Sequence, residues 1–234
     1  MIEIGPGPGA LTDRIVPRAG HTIAIELDPR MREPLEERHG RDRLTVIDAD
    51  VLETNLTVLV ADARAARPSI ERVRVAANLP YYISSAVLVH LINHREALFD
   101  ATLMLQKEVV DRLVASPGGK EYGSLTVFVA MYADASRLFD VPPGAFRPAP
   151  KVTSSVIALR FRERPAEDVP DATVFNRIVR SAFAQRRKTL GNCLAAGGFK
   201  DLADRAGIDP RRRAETLSLS EFAALARSHS SAID

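Results

Sequence analysis

The sequence predicts an α/β domain built on a mainly parallel sheet, followed by a small domain that contains only helices. Short apolar runs alternate with segments of helical periodicity along most of the chain, and repeated β–α units require a mainly parallel sheet covered by helices. A proline-rich loop joins the last two strand-like runs, so these can form an antiparallel pair at one edge. After residues 162–171, which are charged and contain proline, only helical patterns remain. We therefore expect a first domain at residues 1–164 and a second at residues 172–230.

Seven short runs of apolar and β-branched residues predict the strands of this sheet. They are residues 2–4, 21–27, 43–49, 73–77, 101–105, 137–141 and 154–161. Between the strands, apolar residues recur at helical spacing. The expected helices are residues 10–18, 31–39, 56–66, 86–92, 106–114 and 124–133. In the C-terminal part we expect one helix that begins near Phe175 and continues through residues 185–188, and two shorter helices at 202–208 and 217–225.

Composition excludes several classes of protein. No run of about 18 apolar residues exists, which argues against a membrane span, and the first residues lack the basic region of a signal peptide. Cys193 is the single cysteine, so the chain forms no internal disulfide and no cysteine-clustered metal site. The five histidines have no ligand partners at metal-binding spacing. We expect a cytoplasmic, metal-free monomer.

Charge is distributed unevenly along the chain. Residues 1–146 contain 16 Lys and Arg against 20 Asp and Glu, whereas residues 147–234 contain 16 against 10. The two parts therefore carry −4 and +6. This asymmetry is typical of a protein whose C-terminal part meets a polyanion, although ordinary solvated surface charge produces the same count.

A glycine-rich loop, Gly5-Pro6-Gly7-Pro8-Gly9, directly follows the first predicted strand. The next strand ends in Glu26, 21 positions after Gly5. Glycines let a backbone approach a ligand closely, and a carboxylate at that distance accepts hydrogen bonds from ribose hydroxyls. The G-x-G-x-G spacing disfavours a nicotinamide cofactor and indicates another nucleoside-containing cofactor. The alternative is an ordinary tight turn.

The segment Asn78-Leu79-Pro80-Tyr81-Tyr82-Ile83-Ser84-Ser85 lies between a predicted strand and a predicted helix. Asn78 offers an acceptor and a donor, Pro80 stiffens the turn, and Tyr81 offers an aromatic face. This combination suits a planar ring that carries an exocyclic amine. In the alternative interpretation, Asn78 caps the helix and Tyr81 is a core residue.

Six segments of the chain, taken in order, form one recognisable set: residues 3–7, 25–28, 78–81, 106–109, 145–152 and 185–189. Together they resemble the rRNA adenine N6,N6-dimethyltransferases of the KsgA type. The resemblance implies a Rossmann-like methyltransferase fold, S-adenosylmethionine as cofactor, and dimethylation of two adjacent adenines near the 3′ end of 16S rRNA during small-subunit maturation. The erythromycin-resistance methyltransferases are similar, but Leu79 and the Gln-Arg-Arg-Lys segment resemble the housekeeping enzyme more.

The resemblance also implies roles for individual residues. Gly5, Gly7 and Gly9 would bring backbone amides to the cofactor, Glu26 would hold its ribose, and Asp50 would accept a hydrogen bond from its adenine. The alternative for both carboxylates is solvation at a strand end.

For the substrate, the resemblance implies that Asn78, which also borders the cofactor, and the Leu79 or Pro80 carbonyl accept hydrogen bonds from the target N6. Tyr81 would stack on one face of the base, and Phe146 would cover the other face. In the alternative interpretation, Phe146 is only a hydrophobic residue that packs within the proline-rich loop. The expected RNA-binding residues are Arg147, Lys151, Arg186, Arg187, Lys188, Arg211, Arg212 and Arg213.

The chain as printed begins almost at the glycine loop, whereas members of this family carry a further N-terminal segment that covers part of the cofactor. We therefore expect that segment to be lacking. The rival function is a non-catalytic factor that binds rRNA during ribosome assembly. The presence of Asn78 and Tyr81 argues against it, whereas the expected lack of the N-terminal segment argues for it.

Overall fold

The computed structural model describes residues 1–230, which divide into two units. The first unit comprises Met1–Val110 and Asp134–Glu163. The second comprises Asp111–Ala133 and the chain from Arg164 onward. The expected first domain, residues 1–164, thus includes the segment Asp111–Ala133, which the structure groups with the C-terminal helices.

One seven-stranded sheet forms the framework of the first unit, in the order β3-β2-β1-β4-β5-β7-β6. Strands β1 to β5 run parallel to their neighbours, and β7 pairs antiparallel with β5. The strands are β1 (Ile2–Ile4), β2 (Thr22–Glu26), β3 (Leu44–Asp48), β4 (Arg74–Asn78), β5 (Asp100–Gln106), β6 (Ala133–Val141) and β7 (Ser154–Phe161). The expected fold class, a mainly parallel sheet with an antiparallel edge, is confirmed.

Ten α-helices accompany the sheet in the part of the chain that the structure describes. They are α1 (Thr12–Ile15), α2 (Arg32–His39), α3 (Leu56–Ala66), α4 (Ser84–Asn93), α5 (Lys107–Leu113), α6 (Ser124–Tyr132), α7 (Ala172–Ala182), α8 (Leu190–Ala196), α9 (Leu202–Arg205) and α10 (Leu219–Ser230). None of the helices in residues 1–230 combines the length and the apolar composition needed to cross a bilayer.

Local chemistry explains where the helices of the first unit begin and end. The Asn55 side chain accepts a hydrogen bond from Val58 N–H at 3.1 Å and so caps α3. Helix α2 ends at Gly40, whose φ of 80° is left-handed and favours glycine. Helix α4 buries Val87, Leu88 and Leu91. These caps and apolar stripes fix the lengths of the β–α units.

The helices of the second unit pack around aromatic side chains. The Asp171 side chain caps α7 by accepting hydrogen bonds from Thr173 N–H and Val174 N–H, and Phe175 lies fully buried on the inner face of that helix. The Phe183 and Phe222 rings stack with their centroids 5.6 Å apart, which joins the end of α7 to α10. The Tyr122 hydroxyl, buried in the same unit, donates to the Leu217 carbonyl at 2.9 Å.

Two expectations about the C-terminal helices are wrong. Helix α7 ends at Ala182, so residues 185–188 lie in a turn, and α8 was not expected at all. The physical reason is that the polar segment Gln185–Lys188 has nothing to bury, whereas Leu190, Cys193 and Leu194 are buried and require the chain to turn back. Helix α1 is also shorter than expected, and β6 begins at Ala133 directly after α6.

Candidate active site

The carboxyl ends of β2, β1 and β4 place three sequence motifs side by side. Ile4 of β1 is level with Ile25 of β2 on one side and with Ala77 of β4 on the other. The next residues along these strands, Gly5, Glu26 and Asn78, therefore leave the sheet at the same height. Ligands of open α/β sheets bind at such a point, where the strand order reverses direction.

The glycine loop has open space beside it, except at its last glycine. Gly5 and Gly7 have positive φ angles of 66° and 53°, and a side-chain carbon added to either would meet nothing within 4 Å. Gly9 differs, because its added carbon would lie 2.6 Å from Leu35 Cδ2. The Gly9 N–H also donates to the Pro6 carbonyl at 3.0 Å. Gly5 and Gly7 thus border free volume, whereas packing and loop closure account for Gly9.

The Glu26 carboxylate is held in place by main-chain amides. One oxygen accepts a hydrogen bond from Gly7 N–H and the other from Asp28 N–H, each at 3.0 Å. Each oxygen retains acceptor capacity for a further hydrogen bond. The neighbouring carboxylate is already engaged: Arg30 lowers the pKa of Asp28 to about 2 through a direct hydrogen bond. Glu26 is therefore the carboxylate at the end of β2 that is oriented and open to a ligand.

Asp50 follows β3 at the same edge of the sheet. Its Oδ1 accepts Leu52 N–H at 2.8 Å, and the rest of the half-buried carboxylate retains acceptor capacity. Asp48, two residues earlier, forms an ion pair with Arg32 at 3.2 Å. Leu27, which sequence reasoning missed, is 70% exposed between Glu26 and Asp28. An exposed leucine next to a ribose-binding candidate offers an apolar surface for a flat ring.

The turn after β4 and the proline-rich loop between β6 and β7 line an open pocket of about 290 Å³. We call it the Tyr81 pocket; its lining residues are Asn78, Leu79, Pro80, Tyr81, Phe146, Pro148 and Pro150. The structure therefore brings Asn78, Tyr81 and Phe146 together around one space, as the sequence interpretation requires. Helix α4 has Ile83 at its N-cap, so Asn78 does not cap it.

Hydrogen bonds hold the Tyr81 ring in a fixed position. The Tyr81 hydroxyl lies 3.0 Å from Ser154 Oγ, and Ser154, the first residue of β7, is 1% exposed. The Tyr81 carbonyl accepts the Ser84 hydroxyl at 3.0 Å, and the Leu79 N–H donates to the Met104 carbonyl at 3.2 Å. Ser154 gave no sequence signal, because its only distinguishing feature is its contact with a residue 73 positions away.

The expected RNA-binding residues of the second unit fall into two groups. Arg186 contacts the Lys120 carbonyl and Glu215, Arg211 pairs with Asp209, and Arg212 binds Glu221 and the Thr216 carbonyl. The other group makes no side-chain hydrogen bond or ion pair within residues 1–230 and is exposed to solvent. Its members are Arg187, Lys188 and Arg213. In the first unit, Arg147 and Lys151 are exposed on the loop that carries Phe146.

A second cavity, about 580 Å³ in volume, lies at the other ends of the strands, where β4 and β5 begin. Arg72, Phe99 and Arg160 are among its lining residues. Although it is larger than the Tyr81 pocket, its arginines are engaged by the protein. Arg160 and Arg72 lie over the Phe99 ring, and Arg162 pairs with Asp134. The candidate acceptors lie not in this cavity but at the carboxyl ends of the parallel strands, which we call the carboxyl edge. They are Glu26, Asp50 and Asn78.

Metal chemistry finds no support in the side-chain arrangement. Across residues 1–230, no group of three or more His, Cys, Asp or Glu side chains is placed to hold a metal ion. His90 contacts the Thr54 carbonyl at 3.0 Å, and burial lowers its pKa, which favours the neutral ring. His94 lies beside it, with the two ring centroids 4.4 Å apart.

A model of the ribosomal RNA adenine dimethylase family matches residues 1–230. The chain belongs to this family. It is accordingly an S-adenosylmethionine-dependent methyltransferase that dimethylates adenine in ribosomal RNA.

Curated relatives of this adenine dimethylase extend over nearly the whole chain. A protein of Moorella thermoacetica named ribosomal RNA small subunit methyltransferase A is 43% identical, over 97% of this chain and 81% of the relative. A protein of Geobacter metallireducens with the same name is 44% identical, over 97% of this chain and 84% of the relative.

Solved structures show the same fold. A dimethyladenosine transferase from Plasmodium falciparum superposes with a TM-score of 0.77 at 25% identity, covering 96% of this chain and 87% of that structure. The 23S rRNA methyltransferase ErmE superposes with a TM-score of 0.68 at 23% identity, covering 97% of this chain and 89% of that one. The similarity to ErmE shows only that the two proteins share a fold.

One further carboxyl group lies inside this adenine dimethylase, just before the glycine loop. Glu3, the middle residue of β1, is 1% exposed, and burial raises its pKa to about 7. The nearby Thr12 hydroxyl lowers the pKa, but by less than burial raises it. Asp13 and Glu26 add negative charge that raises it further. Glu3 therefore takes up a proton on folding near neutral pH.

We expect Glu3→Gln to stabilise the protein increasingly as the pH rises from about 4.5 to about 7. Below this window Glu3 is protonated in both states, and above it the folded state must bury a charge that the unfolded state exposes. The pKa difference corresponds to about 3 kcal/mol. Urea unfolding at pH 4.5 and pH 8 measures the effect, with exposed Glu37→Gln as control. A stability gain that is equal at both pH values would contradict the pKa assigned to Glu3.

Proposed function

We propose that this chain transfers two methyl groups to N6 of each of two adjacent adenines near the 3′ end of 16S rRNA, during maturation of the small ribosomal subunit. The observation that carries the proposal is the Tyr81 pocket, which joins a polar turn and two aromatic rings at the carboxyl end of β4, the strand that pairs with β1. The relatives named as small-subunit enzymes support this choice of subunit. We place the activity in the cytoplasm and expect a monomer that needs no metal.

The carboxyl edge fits the cofactor in the chemistry of its side chains. Glu26 offers two fixed oxygens for the ribose hydroxyls, and Asp50 offers an acceptor for the adenine amine. Leu27 offers an apolar surface for the adenine ring. The open sides of Gly5 and Gly7 leave room for the amino-acid end. S-adenosylmethionine supplies a methyl group on a positively charged sulfur, which is a good leaving group.

Asn78 and a main-chain carbonyl prepare the target nitrogen. An aniline-like N6 is planar, because its lone pair delocalises into the ring. Two acceptors that bind its hydrogens out of that plane favour a pyramidal nitrogen with its lone pair available for attack. The Pro80 carbonyl already accepts Ile83 N–H at 3.2 Å, which favours Leu79 as the main-chain acceptor beside Asn78. Each transfer leaves N6 positively charged until it releases one proton to solvent. After the first transfer N6 therefore keeps one hydrogen, so one acceptor is enough for the second.

Tyr81 and Phe146 hold the adenine ring between them. A base that leaves the RNA stack loses its neighbours, and aromatic side chains replace part of the lost stacking energy. Ser154 fixes the Tyr81 ring before the base arrives, so little freedom is lost on binding. Catalysis in this account is positioning and electrostatic stabilisation, with no residue acting as a nucleophile.

The test of the proposed function is methyl transfer from labelled S-adenosylmethionine to small-subunit particles that lack these methyl groups. We expect the wild-type chain to produce dimethyladenosine at two adjacent positions, measured by mass spectrometry of nuclease fragments. Asn78→Ala should lower kcat about 100-fold or more, as loss of a key polar contact in the transition state does elsewhere. Asn93→Ala, an exposed asparagine at the end of α4, is the matched control. Particles that stay unmodified by the wild type would instead support the assembly-factor function.

A second prediction concerns the basic residues of the second unit. Replacing Arg187, Lys188 and Arg213 by Gln should reduce the slope of log affinity for rRNA against log salt concentration by about 2–3 units, if each meets one phosphate. Replacing Arg186, Arg211 and Arg212 should change that slope less, because those guanidinium groups bind protein acceptors. Filter binding over a range of salt concentrations measures both slopes. Equal reductions in two triple variants of unchanged melting temperature would refute the division into two groups.

A further inference from the structure

Tyr82 is the most exposed large apolar side chain in the described part of the chain, with 88% of its surface open to solvent. It follows Tyr81, and both are the central residues of a turn that the hydrogen bond from Ile83 N–H to the Pro80 carbonyl closes. Within residues 1–230 the Tyr82 side chain makes no hydrogen bond and no ring contact. The turn therefore presents an exposed aromatic ring that has no hydrogen-bond or ring partner in residues 1–230.

The turn places this ring beside the Tyr81 pocket. Consecutive Cα atoms are about 3.8 Å apart, so a group bound next to the occupant of the pocket lies within reach of Tyr82. Arg147 and Lys151 are exposed on the loop that forms the other wall of the pocket. Exposed aromatic rings together with cations are the combination that binds single-stranded nucleic acid, by stacking on bases and by attracting phosphates.

We propose that Tyr82 stacks on the nucleobase next to the target adenine, while Tyr81 stacks on the target itself. This inference rests on the proposed function, because it requires an adenine that has left the RNA stack and entered the Tyr81 pocket. When the target leaves the stack, one face of its neighbour is exposed to water. Stacking tolerates any base, so the same ring serves the neighbouring base on that side, whichever of the two adjacent adenines occupies the pocket.

The first test compares Tyr82→Ala with Tyr82→Phe in steady-state methylation of unmethylated small-subunit particles. Loss of one base–aromatic stack should lower kcat/KM about 5- to 100-fold, mainly through KM, whereas phenylalanine keeps the stacking surface and should keep the activity. The melting temperature should not change, because the ring is exposed. Val58→Ala, which shortens another exposed apolar side chain on α3, is the control. An unchanged kcat/KM for Tyr82→Ala overturns the proposal.

The second test removes from the RNA the base on which Tyr82 is proposed to stack. Particles are reconstituted with 16S rRNA in which the nucleotide on the 5′ or the 3′ side of the target adenine has no base. On one of these two substrates, wild type and Tyr82→Ala should methylate the target with equal kcat/KM, because the stack is absent from both. A defect of Tyr82→Ala that persists on both abasic particles overturns base stacking and indicates contact with another component, such as a ribosomal protein.

The same measurements distinguish a failure of the proposed function from a failure of the Tyr82 inference. A wild-type chain that fails to methylate intact particles refutes the function itself, and the inference with it. A wild-type chain that methylates intact particles, with Tyr82→Ala behaving identically on every substrate, refutes only the inference.

Discussion

The pairing register of β1 is the constraint on which the rest of the site depends. This strand has three residues, all buried, and it pairs in parallel with β2 on one side and β4 on the other. A shift of one residue in either pairing would turn the side chains of the shifted strand to the other face of the sheet. In the observed register, the glycine loop, Glu26 and Asn78 emerge together. The residues proposed to hold the cofactor and the Tyr81 pocket are therefore neighbours by topology, before any side chain contributes.

Polar contacts then fix individual groups inside that frame. Main-chain amides orient Glu26, and a buried serine on β7 orients Tyr81. The Tyr81–Ser154 contact links the turn after β4 to β7, the strand that follows the Phe146 loop. Such preorganisation means that few groups need to be ordered when the base enters.

Elements with strong local signals could be predicted from the sequence. Helix α3 matches its expected bounds, because Asn55 supplies a cap and a helical apolar stripe follows it. Strand β7 also matches, because its apolar run is long and bounded by prolines and charges. Glu26 and Asn78 could be proposed because each ends or follows a strand that the apolar pattern reveals, whereas the role of Asp50 followed only from the resemblance to the family.

Features that depend on distant contacts could not be predicted. The role of Ser154 depends on Tyr81, and Gly9 is explained by packing against Leu35, 26 positions further along the chain. The arginines at 186 and 212 look like their exposed neighbours in sequence, yet acceptors elsewhere in the second unit bind them. The predicted end of α7 is wrong because charged residues are compatible with both a solvated helix and a turn. Only the burial of α8 distinguishes these two conformations.

The central claim is that the carboxyl edge, and not the larger arginine-lined cavity, holds the cofactor. Calorimetric titration with S-adenosylhomocysteine, the demethylated product, tests it most directly. The account predicts that Glu26→Gln and Asp50→Asn each weaken binding about tenfold or more, since each replaces a charged acceptor with a neutral amide that has one acceptor oxygen fewer. It predicts that Arg72→Gln, in the cavity at the opposite edge, leaves the affinity unchanged. Unchanged binding by both carboxylate variants, together with weakened binding by Arg72→Gln, would contradict it.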